Sequence, residues 1–313
     1  MPVGAASVLC WVNRNLQNLP GRWRLDHWLS RNGHLVDRIA PGPARIGPGY
    51  FIWGDPRDFD SRRYLMHGIS PREPITNVMA SLLAPGDVAI DVGANVGYFS
   101  AVMSMLVGPT GRVYAYEPAP TTFSHLGTLL ASGGRNIIAT QAAVSDREGR
   151  AKLSLGSESH SGRASLREFE SEAGSVDVPC ITLDSTRGRV GPAKLVKIDV
   201  EGFEMKVLRG MHQILSKDRA YVILELSDTF LRAAGSSAGE VVAFMSEQHY
   251  VGYVLTVHGG ATDLNKELLP LDLGLISSQV DVLFIAEEMP VPRFNPSLSV
   301  RDIWTAGTKL ARS

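Results

Sequence analysis

The sequence predicts an α/β fold with a mostly parallel sheet of about seven strands and helices on both of its faces. Short apolar segments alternate with longer amphipathic segments from about residue 76 onward. A glycine-containing loop joins the first strand and helix of this series, and no apolar run approaches the roughly 18 residues of a membrane span. Strands that alternate with helices form parallel sheets with right-handed crossovers, so these observations favour a doubly wound sheet.

The predicted elements begin with a strand in "DVAIDVG" and a helix in "YFSAVMSMLVG", which Gly108 and Pro109 end. A strand in "RVYAYEP", a helix in "PTTFSHLGTLLASGG" and a strand in "NIIATQAAVSD" follow. Between about 147 and 180 short strands and polar loops predict an inserted strand pair or lid. Later strands are predicted in "AKLVKIDV", "AYVILELS", "YVGYVLTV" and "VDVLFIAE", with a helix after the first of these and another near 237–248.

Three parts are predicted along the chain: an N-terminal extension or cap over 1–75, a main domain over 76–289 and a tail over 290–313. The first part is rich in Trp, Arg, Gly and Pro, and its apolar residues could line short amphipathic helices. Such a segment could pack on the main domain as a cap, or it could meet an apolar substrate or a membrane face. The sequence does not separate these two interpretations.

Bulk composition excludes several classes of protein. The net charge is −1, and the main domain has no basic stripe with interleaved aromatic residues, so a nucleic-acid partner is not expected. Two cysteines, Cys10 and Cys180, are too few for a disulfide framework, which fits a reducing compartment. We find no signal peptide and expect a cytoplasmic protein, with the oligomeric state open and a homodimer plausible.

Several polar residues crowd the loop after the first predicted strand. Gly93 permits a tight turn, Gly97 permits close approach of helix and strand, and Asp91 ends the strand beside Asn95. Glu117 follows Gly97 by 20 residues, the spacing at which an acid on the second strand binds ribose hydroxyls. The carboxyl ends of the strands are where doubly wound sheets bind ligands. The pattern therefore predicts a nucleoside cofactor here.

Charge favours one cofactor over another. Dinucleotide sites prefer G-x-G-x-x-G, whereas this loop reads Gly93-Ala94-Asn95-Val96-Gly97 and carries Asp91 beside it. A fixed acid there would repel a pyrophosphate but would suit the cationic amino group of S-adenosylmethionine. The loop therefore predicts S-adenosylmethionine rather than NAD.

A second cluster of charged residues lies in "LVKIDVEGFE". Lys197 and Asp199 point to the same face of their strand, and Asp199 and Glu201 fall at its carboxyl end. Asp199 or Glu201 could deprotonate a substrate hydroxyl as a general base, with Lys197 as their partner. Glu204 begins the next helix, where it could contact substrate or simply complement the helix dipole.

Two further hypotheses concern the same edge of the sheet. Asp199, Glu201 and Glu225 could bind Mg²⁺ or another divalent cation through oxygen ligands, and that ion would lower the pKa of a bound hydroxyl. In the insertion, His160 is an alternative catalytic base and Arg163 an alternative substrate contact.

Six segments resemble, in this order, the FkbM family of S-adenosylmethionine-dependent methyltransferases over roughly residues 76–287: "IDVGANVGYFS", "GRVYAYEP", "AAVSD", "ITLDS", "KIDVEGFEMKVLRG" and "ILEL". The resemblance implies a Rossmann-like class I methyltransferase fold, with residues 76–289 as the S-adenosylmethionine-binding methyltransferase domain. It places Asp91, Gly93, Asn95, Gly97 and Glu117 in the cofactor motifs. Ser145 and Asp146 would lie near the adenine, and Asp199, Glu201 and Glu204 fall in the hallmark motif.

The expected activity is therefore O-methylation of a hydroxyl on a sugar, glycolipid or glycosylated natural product. The acceptor would be a small molecule or glycan, and peripheral membrane contact through the N-terminal part stays open. N-methylation of a small amine or peptide would use the same cofactor. An NAD-linked oxidoreductase and a non-catalytic binding module are the alternatives from other classes.

Overall fold

A computed structural model gives the fold over most of the chain. It describes residues 8–9, 24, 28, 39–47, 49–58, 64–65, 74–154, 175–257, 269–272, 274 and 279–292. The predicted roles of His160 and Arg163 lie outside the described residues, as does most of the predicted tail.

The described helices number seven, and a single π-helical turn at Ile214–Asp218 accompanies them. In chain order the helices are α1 (Pro74–Leu82), α2 (Tyr98–Val107), α3 (Pro120–Ala131), α4 (Leu183–Val190), α5 (Glu204–Arg209), α6 (Asp228–Ala233) and α7 (Ala238–Glu247). The described strands are β1 (Gly42–Gly47), β2 (Tyr50–Gly54), β3 (Val88–Val92), β4 (Arg112–Tyr116), β5 (Ile137–Thr140), β6 (Ala143–Val144), β7 (Gly149–Ser154), β8 (Ser175–Ile181), β9 (Leu195–Ile198), β10 (Tyr221–Leu226), β11 (Tyr250–Val257), β12 (Leu269–Pro270) and β13 (Val280–Ala286).

The main sheet contains eight of the described strands, in the order β12-β11-β13-β10-β9-β3-β4-β5. Strands β10, β9, β3, β4 and β5 pair in parallel, and β13, β11 and β12 continue the sheet in antiparallel pairs. The predicted Rossmann-like, mostly parallel sheet is confirmed, and the two-residue β12 is the strand beyond the seven expected. From β3 the chain moves outward to β4 and later returns on the other side with β9. That reversal creates a crevice at the carboxyl ends of β3 and β9, where such sheets bind ligands.

Each face of the sheet has its own hydrophobic core. Alternate residues of one strand point to opposite faces, so Ala89 joins the core beneath α1, α2 and α3, and Ile90 joins the core beneath α5 and α7. The same alternation puts Asp91 and Lys197 on the α2 face. Parallel strands β3, β4, β9 and β10, which contribute residues to both cores, thus place these polar groups at the crevice.

The predicted inserted strand pair is present. Strand β7 pairs antiparallel with β8, and β8 pairs in parallel with β6 to give a three-stranded sheet. The single strand predicted over "NIIATQAAVSD" is instead two strands. A tight turn, in which the Ala142 amide donates to the Thr140 carbonyl at 3.1 Å, redirects the chain from the main sheet into the small one.

A β-hairpin that the sequence analysis did not predict lies in the N-terminal part. Strands β1 and β2 pair antiparallel, and β2 packs on α3. The Trp53 ring stacks on His125 with centroids 4.8 Å apart, and the Tyr50 hydroxyl lies 3.1 Å from Ser104 Oγ on α2. Buried Ile52 belongs to the same hydrophobic core as α1 and α2. Among the described helices, none is long and apolar enough to cross a membrane.

Candidate active site

The loop between β3 and α2 has three residues in the left-handed region of φ: Gly93 at 80°, Asn95 at 51° and Gly97 at 93°. A Cβ on Gly93 would lie 1.9 Å from the backbone carbonyl oxygen of Asp199, so this position requires glycine. A Cβ on Gly97 would lie 2.5 Å from side-chain carbons of Leu126 and Leu129 on α3. The two glycines thus let the loop lie directly against the segment after β9 and let α2 approach α3.

Asp91 ends β3 beneath this loop and is 1% exposed. Its Oδ2 accepts a hydrogen bond of 2.5 Å from the Ser100 hydroxyl on the first turn of α2. Its Oδ1 is buried and has no hydrogen-bond partner among the described residues. Burial raises the pKa of the Asp91 carboxyl, and the opposing effects of the Lys197 ammonium and the Ser100 hydroxyl do not cancel this rise. A cationic ligand group at Oδ1 would both satisfy that atom and favour the ionised carboxylate.

Glu117 follows β4 and faces the same loop. Its Oε2 accepts from the Asn95 amide and its Oε1 from the Ala119 amide, each at 2.9 Å. Burial raises the pKa of the Glu117 carboxyl to about 7, and the charges of Asp91 and Asp199 add to the rise. Two backbone donors therefore fix the orientation of the Glu117 carboxyl beside the loop.

These residues fit S-adenosylmethionine. The acids Asp91 and Glu117 and the buried, unpartnered Oδ1 of Asn95 offer acceptors to an ammonium and to ribose hydroxyls. The same acids would repel a pyrophosphate, as the sequence argument expected.

Ser145 and Asp146 lie where β6 leaves the small sheet. The Ser145 amide donates to the Ile181 carbonyl at 2.8 Å, and its Oγ lies 3.1 Å from Asp146 Oδ1. Ser145 is buried against the end of α5, because a Cβ on Gly210 would lie 2.0 Å from the Ser145 carbonyl oxygen. Asp146 is exposed. Their contact with adenine stays a prediction.

Lys197 lies inside the sheet and is 3% exposed. Its Cα is paired with that of Asp91 across β3 and β9, and its Nζ donates to Asp199 Oδ2 at 2.9 Å. The ammonium also lies 4.5 Å from the centre of the Phe99 ring. Burial alone would lower the pKa of Lys197, but the Asp199 and Asp91 carboxylates outweigh burial and raise it. Lys197 therefore stays charged and connects the acid of the glycine loop to the acid after β9.

The acids continue across the sheet on the same face. Glu225 on β10 is hydrogen bonded to Asp199 and is the register partner of Asp281 on β13. Burial and the charge of Asp199 raise the pKa of the Glu225 carboxyl far above its ordinary range. A proton on Glu225 is therefore favoured, and the Asp199 carboxylate can accept a hydrogen bond from it. Asp199 remains the more accessible of the two ion-paired residues, with 32% of its side chain exposed against 4% for Lys197.

The loop after β9 presents Glu201, whose φ of 52° is left-handed although the residue is not glycine. Glu204, the first residue of α5, is 2% exposed, and its Oε1 accepts from the Gly202 amide at 3.0 Å and from the Val200 amide at 3.4 Å. Burial raises the pKa of the Glu204 carboxyl to about 7. The Glu204 side chain therefore points back to the backbone of the loop that precedes α5.

The predicted divalent-cation site is not supported. Within the described part of the chain, no group of three or more His, Cys, Asp or Glu side chains is arranged to hold a metal ion. The physical reason lies in the partners of the expected ligands Asp199, Glu201 and Glu225. Asp199 accepts from the Lys197 ammonium, and burial raises the pKa of the Glu225 carboxyl, so both are less available as charged ligands for a divalent cation.

Sequence reasoning missed Ser100, Phe99 and Asp281 as parts of this site. Ser100 had a usable signal, since a hydroxyl on the first turn after a glycine loop lies next to the acid that ends the strand. Asp281 is a lone acid in the otherwise apolar strand "VDVLFIA", which also marks it. Phe99 gave no signal, because its contact with Lys197 depends on the crossing of α2 over β9.

The glycine loop and acids at the switch point of this Rossmann-like sheet are typical of S-adenosylmethionine-dependent methyltransferases. The family model described as "Methyltransferase FkbM domain" matches residues 91–254, more than half of the chain. The chain therefore belongs to the FkbM methyltransferase family. This membership removes the NAD-linked and non-catalytic alternatives.

Two characterised relatives are similar in sequence. The 31-O-demethyl-FK506 methyltransferase FkbM of Streptomyces tacrolimicus is 30% identical over 248 residues, which cover 68% of this chain and 84% of that protein. The hexuronic acid methyltransferase AglP of Haloferax volcanii is 29% identical over 163 residues, which cover 51% of this chain and 62% of that protein. A solved structure of methyltransferase FkbM from Methylobacillus flagellatus KT aligns at 14% identity with a TM-score of 0.41, over 72% of this chain and 52% of that one.

Proposed function

We propose that the protein methylates a hydroxyl oxygen of a sugar, glycolipid or glycosylated natural product. One observation carries the proposal: Asp199, whose side chain is partly exposed, lies next to the glycine loop, where its backbone carbonyl oxygen abuts Gly93. A carboxylate in this place can accept a hydrogen bond from a neutral hydroxyl. The names of the two relatives, which act on 31-O-demethyl-FK506 and on hexuronic acid, support an oxygen-rich acceptor.

The cofactor would be held by residues of the first two strand ends. In the proposal Asp91 faces the amino group, Glu117 the ribose hydroxyls, and Gly93, Asn95 and Gly97 shape the loop around them, with Ser145 and Asp146 toward the adenine. Bound S-adenosylmethionine supplies a methyl group on a positively charged sulfur, which leaves as a neutral thioether.

The acceptor side needs orientation and a proton acceptor. Asp199 is held between the Lys197 ammonium and the Glu225 carboxyl, so its orientation is fixed before the acceptor arrives. We assign it the hydrogen bond that orients the acceptor hydroxyl. Asp199 or Glu201 takes the hydroxyl proton as the oxygen is methylated, and Lys197 stabilises the charge of Asp199. The proposal needs no divalent cation.

The test is transfer of labelled methyl from S-adenosylmethionine to 31-O-demethyl-FK506, to a hexuronic acid glycan and to an amino sugar. We expect label in an O-methyl product, unchanged by EDTA and reduced at least about tenfold by Asp199→Asn, since a hydrogen bond to a charged group is lost. Asp177→Asn, on an exposed residue of β8, is the matched control. Transfer only to the amine, or full activity of Asp199→Asn, would contradict the proposal.

A further inference from the structure

The backbone around Glu201 is strained in a way that needs an explanation. Glu201 and Gly202 are both left-handed, with φ of 52° and 102°. Gly202 must be glycine, because a Cβ there would lie 2.4 Å from the Phe230 carbonyl oxygen. A non-glycine residue in this conformation costs about 1–2 kcal/mol. Such strain persists only where the surroundings over-determine it, and it clusters at functional sites.

Glu204 supplies the interaction that opposes this strain. Its buried Oε1 accepts from the amides of Val200 and Gly202, which flank Glu201 on either side. Carboxylates bind backbone amides more strongly than neutral acceptors do, so one side chain holds both ends of the strained residue. The Phe203 amide closes the same loop by donating to the Val200 carbonyl at 3.4 Å.

The held loop borders the cofactor crevice. The Asp199 amide donates to the Val92 carbonyl at 3.0 Å, and the Asp199 carbonyl abuts Gly93. Glu201 lies in this loop, two residues after Asp199. A change in the loop backbone would therefore move Glu201 relative to both the cofactor loop and Asp199.

We propose that Glu204 is a positioning residue that clamps the backbone on both sides of Glu201 and so presents the Glu201 carboxylate to the acceptor. This inference rests on the proposed function for the role of Glu201, but the clamp itself does not depend on it. It gives Glu204 a task different from the substrate contact that the sequence suggested. In this role Glu204 acts through Glu201, since its own side chain is buried against the loop backbone.

The first test measures amide hydrogen exchange at Val200 and Gly202 in the wild type, Glu204→Ala and Glu204→Gln. Alanine removes the acceptor, whereas glutamine keeps an oxygen that can accept from both amides. We expect at least about tenfold faster exchange at Gly202 in Glu204→Ala and near-native exchange in Glu204→Gln. Unchanged protection at Gly202 in a folded Glu204→Ala protein overturns the clamp.

The second test separates positioning from general stability. Methyl transfer to 31-O-demethyl-FK506 and to a hexuronic acid glycan is compared in the wild type, Glu201→Gln, Glu204→Ala, Glu204→Gln and the Glu201→Gln/Glu204→Ala double variant. We expect Glu204→Ala to lower kcat at least about tenfold with little change in the KM for S-adenosylmethionine. Glu204→Gln should keep most of the wild-type kcat. In the Glu201→Gln background, Glu204→Ala should lower kcat little further. Independent, multiplying losses overturn the proposal. Loss of amide protection in Glu204→Ala without transfer to either probe supports the clamp and counts against the proposed acceptor class.

Discussion

Individual carboxyl groups at the crevice have raised pKa values because burial removes water from them, and Lys197 is the one buried ammonium that the described residues place beside them. Lys197 serves Asp91 and Asp199 together, and Glu117 and Glu204 rely on backbone amides alone. Desolvation without an adjacent cation disfavours the ionised form of an acid. The ligand-free crevice is therefore prepared for a cation, and proton uptake competes with cation binding.

This gives a pH dependence with a definite sign. The pKa of the Glu117 carboxyl is about 7 in the folded protein against an ordinary 4.5, so the fold holds this proton more tightly than the unfolded chain does. Its stabilising contribution is complete below about pH 4.5 and is lost as the pH rises through 7. We expect wild-type unfolding free energy to fall relative to Glu117→Gln between pH 5 and pH 7, by up to about 1.4 kcal/mol per pH unit.

Urea unfolding of both ligand-free proteins across this range measures the effect. Asp177→Asn controls for removal of an exposed carboxylate. Parallel curves for the wild type and Glu117→Gln would show that Glu117 ionises normally and would contradict this account of the site.

At residue scale the sequence predicted which acids meet but not what each one does. Asp91, Lys197 and Asp199 could be placed at one edge because strand alternation fixes their faces. The turn of Glu204 back onto its own loop could not be predicted, because it depends on the left-handed conformation of Glu201. The raised pKa of the Glu225 carboxyl depends on burial, which sequence spacing does not show.

Among the elements, the glycine loop owes its position to the contact between α2 and α3. Gly97→Ala would put a Cβ within 2.5 Å of Leu126 and Leu129 and would force a left-handed alanine. We expect a loss of about 1–3 kcal/mol in unfolding free energy, from overpacking and backbone strain. Weaker binding of S-adenosylhomocysteine should accompany it, because the loop must shift.

Gly127→Ala is the matched control on the same pair of helices. Gly127 lies within α3, and a Cβ there would meet nothing within 4 Å. Alanine should stabilise the helix by about 1 kcal/mol, since glycine is a poor helix former. Urea unfolding of the two variants measures both effects, and equal effects would contradict the packing explanation.

Elements with a clear period in their apolar residues were predicted well, and elements without such a period were missed. The runs that form β3, α2, β4 and α3 are long or strongly apolar. Helix α4 was not predicted, because only three of its eight residues are buried and the Thr182 cap follows β8 directly. Helix α6 has six residues, too few for a visible helical pattern.

For the whole molecule, the N-terminal hairpin raises the question of where the cooperative unit begins. Ile52 is fully buried in the core that also contains Met79 and Val102, although the family match starts only at residue 91. We expect Ile52→Ala to lower the unfolding free energy by about 2–5 kcal/mol in one cooperative transition. The neighbouring Phe51→Ala, on an exposed side chain, should change it by about 0.5 kcal/mol.

Circular dichroism and tryptophan fluorescence, followed in the same urea titration, distinguish the possibilities. Coincident transitions shifted by Ile52→Ala mean that the hairpin and the methyltransferase sheet unfold together. A main transition whose urea midpoint is unchanged by Ile52→Ala would show that the hairpin unfolds as a separate unit. The sequence could not decide this, because two strands of five or six residues have too little pattern to show which surface they cover.

The central claim is that the acidic crevice after β3 and β4 binds S-adenosylmethionine. Isothermal titration with S-adenosylhomocysteine tests it most directly, on the wild type, Asp91→Asn, Glu117→Gln and the surface control Asp177→Asn. We expect binding by the wild type and the control, and at least about tenfold weaker binding by each crevice variant, since each loses a charged hydrogen-bond acceptor. Binding that is equal in all four folded proteins would place the cofactor elsewhere and would contradict the account.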